Sequence, residues 1–99
     1  MGIPRMTLDV ATNDVLAATG AVASGKALFY GCVITGGADA ASVTYHDNTA
    51  GTGTVLLTVK AAINTTATCI IPPTICSTGI YATITGTTPD VHTFYNAIS

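Results

Sequence analysis

Two neighbouring stretches decide the fold: KALFYGCVIT, from Lys26 to Thr35, and ASVTYH, from Ala41 to His46, separated by a break at Gly36-Gly37. The second alternates cleanly. Val43 and Tyr45 fall on one side of an extended chain, and Ser42, Thr44 and His46 on the other, which is the period of a half-buried β-strand. The first is hydrophobic almost without interruption. That reads as a long central strand, buried on both faces or lined with aromatics on its inner face.

The same signals continue outward. After ASVTYH comes a polar, glycine-containing loop, Asp47 to Gly53, and then a strand from Thr54 to Ala61. Asn64-Thr65 turns the chain into Thr66 to Ile71. Pro72-Pro73 donates no ladder hydrogen bond and forces an edge or a corner, with Ile75-Cys76 as a short continuation. Ile80 to Thr85 alternates again, Gly86 to Pro89 turns, and Val91 to Tyr95 is the last strand. Towards the N-terminus, Met6 to Ala11 alternates as a half-buried strand. Asn13-Asp14 marks a turn, Val15 to Val22 is strand or irregular, and Ala23-Ser24-Gly25 is another turn. No segment carries a sustained helical stripe, so parallel strands with crossover helices are excluded. The expectation is an all-β fold, an antiparallel two-sheet β-sandwich of 7–8 strands, jelly-roll or immunoglobulin-like. Residues 8–99 form its single domain, and residues 1–7, with Pro4, form an N-terminal arm.

Ninety-nine residues support one modest core. The chain is 48% hydrophobic and only 8% charged, against about 25% charged in ordinary soluble domains. Disorder is therefore excluded, and no apolar run is long enough for a spanning helix. Arg5, Lys26 and Lys60 are the only cations and the net charge is −2, so the basic footprint of a nucleic-acid binder is missing. Threonine, serine, glycine and alanine must face the water instead. Such a surface repels its neighbours weakly and is cheap to desolvate, which suits a subunit whose sides are covered in an assembly.

Chemistry is harder to find. The acidic residues are Asp9, Asp14, Asp39, Asp47 and Asp90, with no glutamate, and four of them lie in or beside expected turns, where aspartate bonds its own backbone. His46 and Asp47 are strand neighbours and point apart. Asp90 and His92 share a face, which gives a small pH effect but not catalysis. Zinc has no signature here, because no cysteines are closely paired and only His46 and His92 could complete a site. Calcium would have one acidic residue, Asp47, beside Asn48. Gly51-Thr52-Gly53 lacks the lysine and the helix of a phosphate loop. No catalytic residue, cofactor or metal is expected. Cys32 reads as a small buried hydrophobe. Cys69 and Cys76 flank the prolines and could lie on facing strands, with a disulfide or, in a cytosolic product, reduced thiols. The N-terminus lacks the layout of a signal peptide.

From Lys26 to Tyr95, through KALFYGCVITGGADAASVTYHDN, GTGTVLLTVKA and STGIYATITGTTPDVHTFY, the chain resembles a family of small tailed-phage virion proteins. The shared pattern is a strand ending at Gly36-Gly37, a strand running into Asp47-Asn48, and the approach Ser77 to Tyr81. The resemblance implies a non-enzymatic capsid cement or decoration protein. Made in the host cytoplasm, it would bind the outside of a phage head and bridge major capsid protein subunits. Such a protein occupies symmetry-related positions as a homo-oligomer, commonly a trimer, without nucleic-acid or membrane partners. The residues expected to meet the capsid are Ile3, Pro4 and Arg5 of the arm and Asp47, Asn48 and Thr49 of the loop. The rival readings are a receptor- or carbohydrate-binding module of a head fibre or tail, presenting the loops Asp47 to Gly53 and Gly86 to Pro89, and a small hydrolase.

Overall fold

A computed structural model describes residues 12–98. The fold is all-β, with eight strands: β1 (Thr12–Leu16), β2 (Gly20–Ser24), β3 (Ala27–Thr35), β4 (Ala41–His46), β5 (Val55–Ala61), β6 (Thr66–Cys76), β7 (Gly79–Thr85) and β8 (Asp90–Ala97). They form two four-stranded sheets, ordered β1-β8-β3-β6 and β2-β7-β4-β5, and every pairing is antiparallel. The chain crosses between the sheets so that first and last strands are neighbours, and β3 and β6 pair across two strands of the opposite sheet. That interleaving of two Greek keys is the jelly roll. The immunoglobulin-like alternative, with its different strand order, is set aside by it.

Alternation builds the core. In β4, Ala41, Val43 and Tyr45 are buried and Ser42, Thr44 and His46 are half-buried. From the facing sheet, Phe29, Cys32 and Ile34 of β3 and Val91 of β8 are fully buried. Phe29 and Tyr45 join the two sheets, with ring centroids 4.7 Å apart and planes at 49°, close to the tilted arrangement that aromatic quadrupoles favour. The Tyr45 hydroxyl lies 2.7 Å from the Thr93 hydroxyl of β8. Thr93 is the one fully buried polar side chain among the described residues, and this bond offsets the cost of its burial.

Pro72-Pro73 lies in β6 at the edge of its sheet. Between the paired positions Phe29↔Thr74 and Gly31↔Ile70, β3 has one residue and β6 has three, the two prolines among them. The ladder opens where N–H groups are missing, and the irregular edge resists pairing with another chain.

Several local expectations give way to long-range pairing. Asn13 and Asp14 are not a turn; they sit in β1 opposite Phe94 and Thr93. Val15 to Val22 divides into the end of β1, a bend over 17–19 and the start of β2. Thr19 in the bend bonds both backbone groups of Ile84, donating to its carbonyl and accepting from its N–H. Ala23 and Ser24 belong to β2, and the turn begins at Gly25. Cys69 and Cys76 do not face each other across strands. Both lie on β6, seven positions apart at about 3.3 Å each, well beyond the reach of a disulfide. Cys69 sits opposite Cys32 instead, and all three thiols are free. The expected strand Met6 to Ala11 and the arm of residues 1–7 lie outside the described residues.

Candidate functional site

No reactive centre takes shape among the described residues. They hold no group of three His, Cys, Asp or Glu side chains able to bind a metal. Burial pushes the Cys32 thiol up, with neighbouring Cys69 adding to the rise against a lowering contact with Tyr45. Burial, aided by the charge of Asp47, pushes the Cys76 thiol up to about 11. Thiols held protonated are poor nucleophiles. Asp90 and His92 do come together on one face, 4.0 Å apart and both open to solvent, and His92 Nδ1 lies 3.3 Å from Asn13 Oδ1. Asp14, on the inward side of β1, has one carboxylate oxygen buried without a hydrogen-bond partner among the described residues, and burial raises its pKa.

The candidate loop residues Asp47, Asn48 and Thr49 lie together at one end of the sandwich, but two of their side chains are engaged internally. The Asp47 carboxylate accepts from the backbone N–H groups of Ser77, Thr78 and Gly79, at 3.1, 2.9 and 3.3 Å. Asn48 Nδ2 donates to the Thr52 carbonyl at 2.9 Å, and Asn48 Oδ1 accepts from the Thr49 N–H. Asp47 is thus a clamp between two loops. Asp39 plays the same part at the opposite end, accepting from the Thr87 N–H and hydroxyl at 2.7 and 2.9 Å, and these bonds hold its carboxyl below its ordinary pKa. Sequence reasoning gave aspartates a role in their own turns. Their partners are 30 or more positions away, and only the fold brings them near.

Burial opposes ionisation of Asp47, but the three N–H donors and the Ser77 hydroxyl outweigh it and hold the pKa down. Its folded pKa is therefore below the unfolded value of about 3.9. The stability it contributes is present above that value and is lost as pH falls through the folded one. Asp47→Ala is expected to cost about 1–3 kcal/mol at neutral pH, the usual loss for charge-assisted bonds to backbone donors. Thermal melts of both proteins check this: the gap between them should shrink as the pH falls below about 4.

Ile3, Pro4 and Arg5 lie outside the described residues. Thr12 pairs with Tyr95, near the end of β8, and Ala27 with Ala97. Thr12, the first described residue, therefore lies towards the end of the sandwich that also carries the 47–53 loop and the turn between β6 and β7.

The two outer faces differ sharply. On the β2-β7-β4-β5 sheet, the positions that alternate with the core are Ser42, Thr44, Thr58, Thr83 and Thr85, with Lys60 opposite Ser42, and His46, Val55 and Tyr81 together towards one end. This is the hydroxyl surface expected from the composition. On the β1-β8-β3-β6 sheet, the corresponding positions of β3 are Leu28, Tyr30 and Val33. Phe94 of β8 flanks Gly31, with Ile70 of β6 opposite on the other side. Ile75 pairs with Leu28, and Val15 with His92. Ile70, Ile75 and Val15 are 61%, 62% and 52% exposed. Of the five exposed large hydrophobics among the described residues, these three lie on this sheet, at its two edges, and share the outer face with Asn13, Thr68, His92 and Asn96; Val55 and Ile63 lie elsewhere. Sequence reasoning met its signal in the unbroken hydrophobicity of β3 but did not name the face.

The chain matches no family model, no curated protein and no solved structure among those it was compared with.

Proposed function

We propose that this protein is a non-enzymatic structural subunit of a phage particle, a decoration protein that binds the outside of the head and bridges major capsid protein subunits. The observation that carries the proposal is the apolar outer face of the β1-β8-β3-β6 sheet, on a chain with so few charges. Such a face is costly to leave in water and cheap to cover. Three further features support the reading. The jelly roll is a fold of viral capsid proteins, although fold alone does not decide function. Thr12, the first described residue after the expected contacts Ile3, Pro4 and Arg5, lies towards the same end of the sandwich as the loop that holds Asp47, Asn48 and Thr49. Burial raises the Cys32 and Cys76 thiols, and the Asp39 and Asp47 carboxylates are engaged by backbone N–H groups, so none of these four groups is set up as a hydrolase nucleophile or base. The carbohydrate-binding alternative loses ground at the 47–53 loop, where the polar groups of Asp47 and Asn48 are spent on backbone.

A subunit that binds only the assembled shell shifts the equilibrium away from disassembly. Heads lacking this protein are expected to release DNA at a lower temperature, and added protein should restore their resistance. Unchanged heat and osmotic resistance, with no co-sedimentation of the protein with heads, would defeat the proposal.

A further inference from the structure

We infer that the apolar outer face of the β1-β8-β3-β6 sheet is covered by the same face of a second copy, giving a two-fold dimer of stacked sandwiches. The inference rests on the reading of this face as an assembly interface and assigns it to a second copy, which leaves contact with the head to the end of the sandwich that carries the 47–53 loop. Three observations favour a second copy. The first is charge. Leu28, Tyr30, Val33 and Phe94 at the centre of the face, and Ile70 and Ile75 at one edge, carry no charge, and the titratable groups that share the face, Asp90 and His92, lie together towards one end of it, away from its centre.

The second observation sets the orientation. Lys26 is exposed immediately before β3, at one end of the face, and Asp90, opposite Thr35, is exposed at the other end. A two-fold axis in the plane of the interface and perpendicular to the strands puts Lys26 of each copy beside Asp90 of the other. An axis along the strands would put like charges together. The third is area. Four strands about 4.8 Å apart and, on average, about eight residues long give a footprint of roughly 500 Å² per copy, or roughly 1,000 Å² in total, the lower bound for a specific interface. Isologous contact also closes at two, because the hydroxyl face of each sandwich is left outward. In this arrangement the ends that carry the 47–53 loop point in opposite directions, so a dimer lying on a shell can reach two separate capsid subunits, which one copy cannot.

The test is sedimentation equilibrium of the full-length protein at micromolar concentrations. The expected mass is twice that of one 9.9 kDa chain. Ile70→Lys and Val15→Lys, on the two edges of the face, should each weaken association by about thirtyfold or more, the loss from a single hot spot. Both side chains are more than half exposed, so thermal melts should match the unaltered chain once all are diluted to monomers, and fall below it where only the unaltered chain is dimeric. Thr58→Lys, on the hydroxyl face, should leave the dimer intact. Lys26→Glu and Asp90→Lys should each weaken it, and combining them should restore it. A monomer or a trimer for the unaltered chain overturns the inference, as does a dimer that survives both edge substitutions or a double charge swap that fails to restore it. Monomers that still bind and stabilise heads would overturn the dimer alone. Dimers that ignore heads would overturn the decoration reading alone.

Discussion

Gly31→Ala is expected to destabilise the fold by about 3 kcal/mol or more, a large share of the roughly 5–15 kcal/mol that holds a domain of this size together. Two costs combine. Gly31 has φ +113°, a conformation that costs an L-residue about 1–2 kcal/mol. A Cβ there would also sit 2.9 Å from the Ile70 Cα and against the Cys69 carbonyl, all backbone of the neighbouring strand. Neither atom can swing aside as the end of a flexible side chain would, and overpacking of this kind costs about 1–3 kcal/mol more. Gly25 separates the two costs. Its φ is similar, +103°, but nothing lies within 4 Å of its missing Cβ. Gly25→Ala should therefore show the conformational cost alone, and urea denaturation of both variants measures the difference. Equal losses would mean that β6 yields freely at its bulge.

The reason for this sensitivity lies in how the β3–β6 pair is built. Around Tyr30, β3 meets three residues of β6 on one side, and on the other side no residue of β8 lies between Tyr95 and Phe94. Gly31 absorbs both mismatches at once. A bulge at a central strand also increases local twist, and it lies in the middle of the apolar outer face, between Ile70 and Phe94.

What the sequence makes legible follows the range of the interaction. The alternation of Ala41 to His46 is a local signal, and β4 begins and ends at those residues with Val43 and Tyr45 inside. The edge position of Pro72-Pro73 is equally local, because the missing N–H groups constrain any pairing. Asn13-Asp14 misleads for the converse reason: its turn propensity is a weak preference, and the ladder to β8, nearly 80 positions away, overrides it. The partner of Cys69 was hidden in the same way, since it depends on the β3–β6 register. For the candidate site, Asp47, Asn48 and Thr49 were correctly placed on a loop, but the use of the Asp47 carboxylate was set by the Ser77–Gly79 turn. The apolar face was half visible. Leu28, Tyr30 and Val33 declare themselves in β3, but grouping them with Ile70, Ile75 and Phe94 needs the strand order, which no single strand encodes.

Phe29→Ala is expected to be the most damaging side-chain change in the core, at about 3–5 kcal/mol, the usual range for truncating a buried aromatic. Phe29 is fully buried on β3 and packs on Tyr45 of the opposite sheet. Its removal leaves a cavity between the layers where they are tied most closely. The tie has two parts, and Tyr45→Phe separates them. That change keeps the ring against Phe29 and removes only the hydroxyl that meets Thr93 at 2.7 Å, leaving a buried threonine hydroxyl unpaired at a cost of about 1–3 kcal/mol. Adding Thr93→Val should recover much of the loss, because replacing both partners of a buried bond with apolar groups of similar shape is nearly neutral. Urea denaturation of the two single variants and the Tyr45→Phe/Thr93→Val pair tests the account. If the pair is no more stable than Tyr45→Phe alone, the hydroxyl bond is not what makes Thr93 tolerable in the core. The contact between the Phe29 and Tyr45 rings would then carry the join between the sheets by itself.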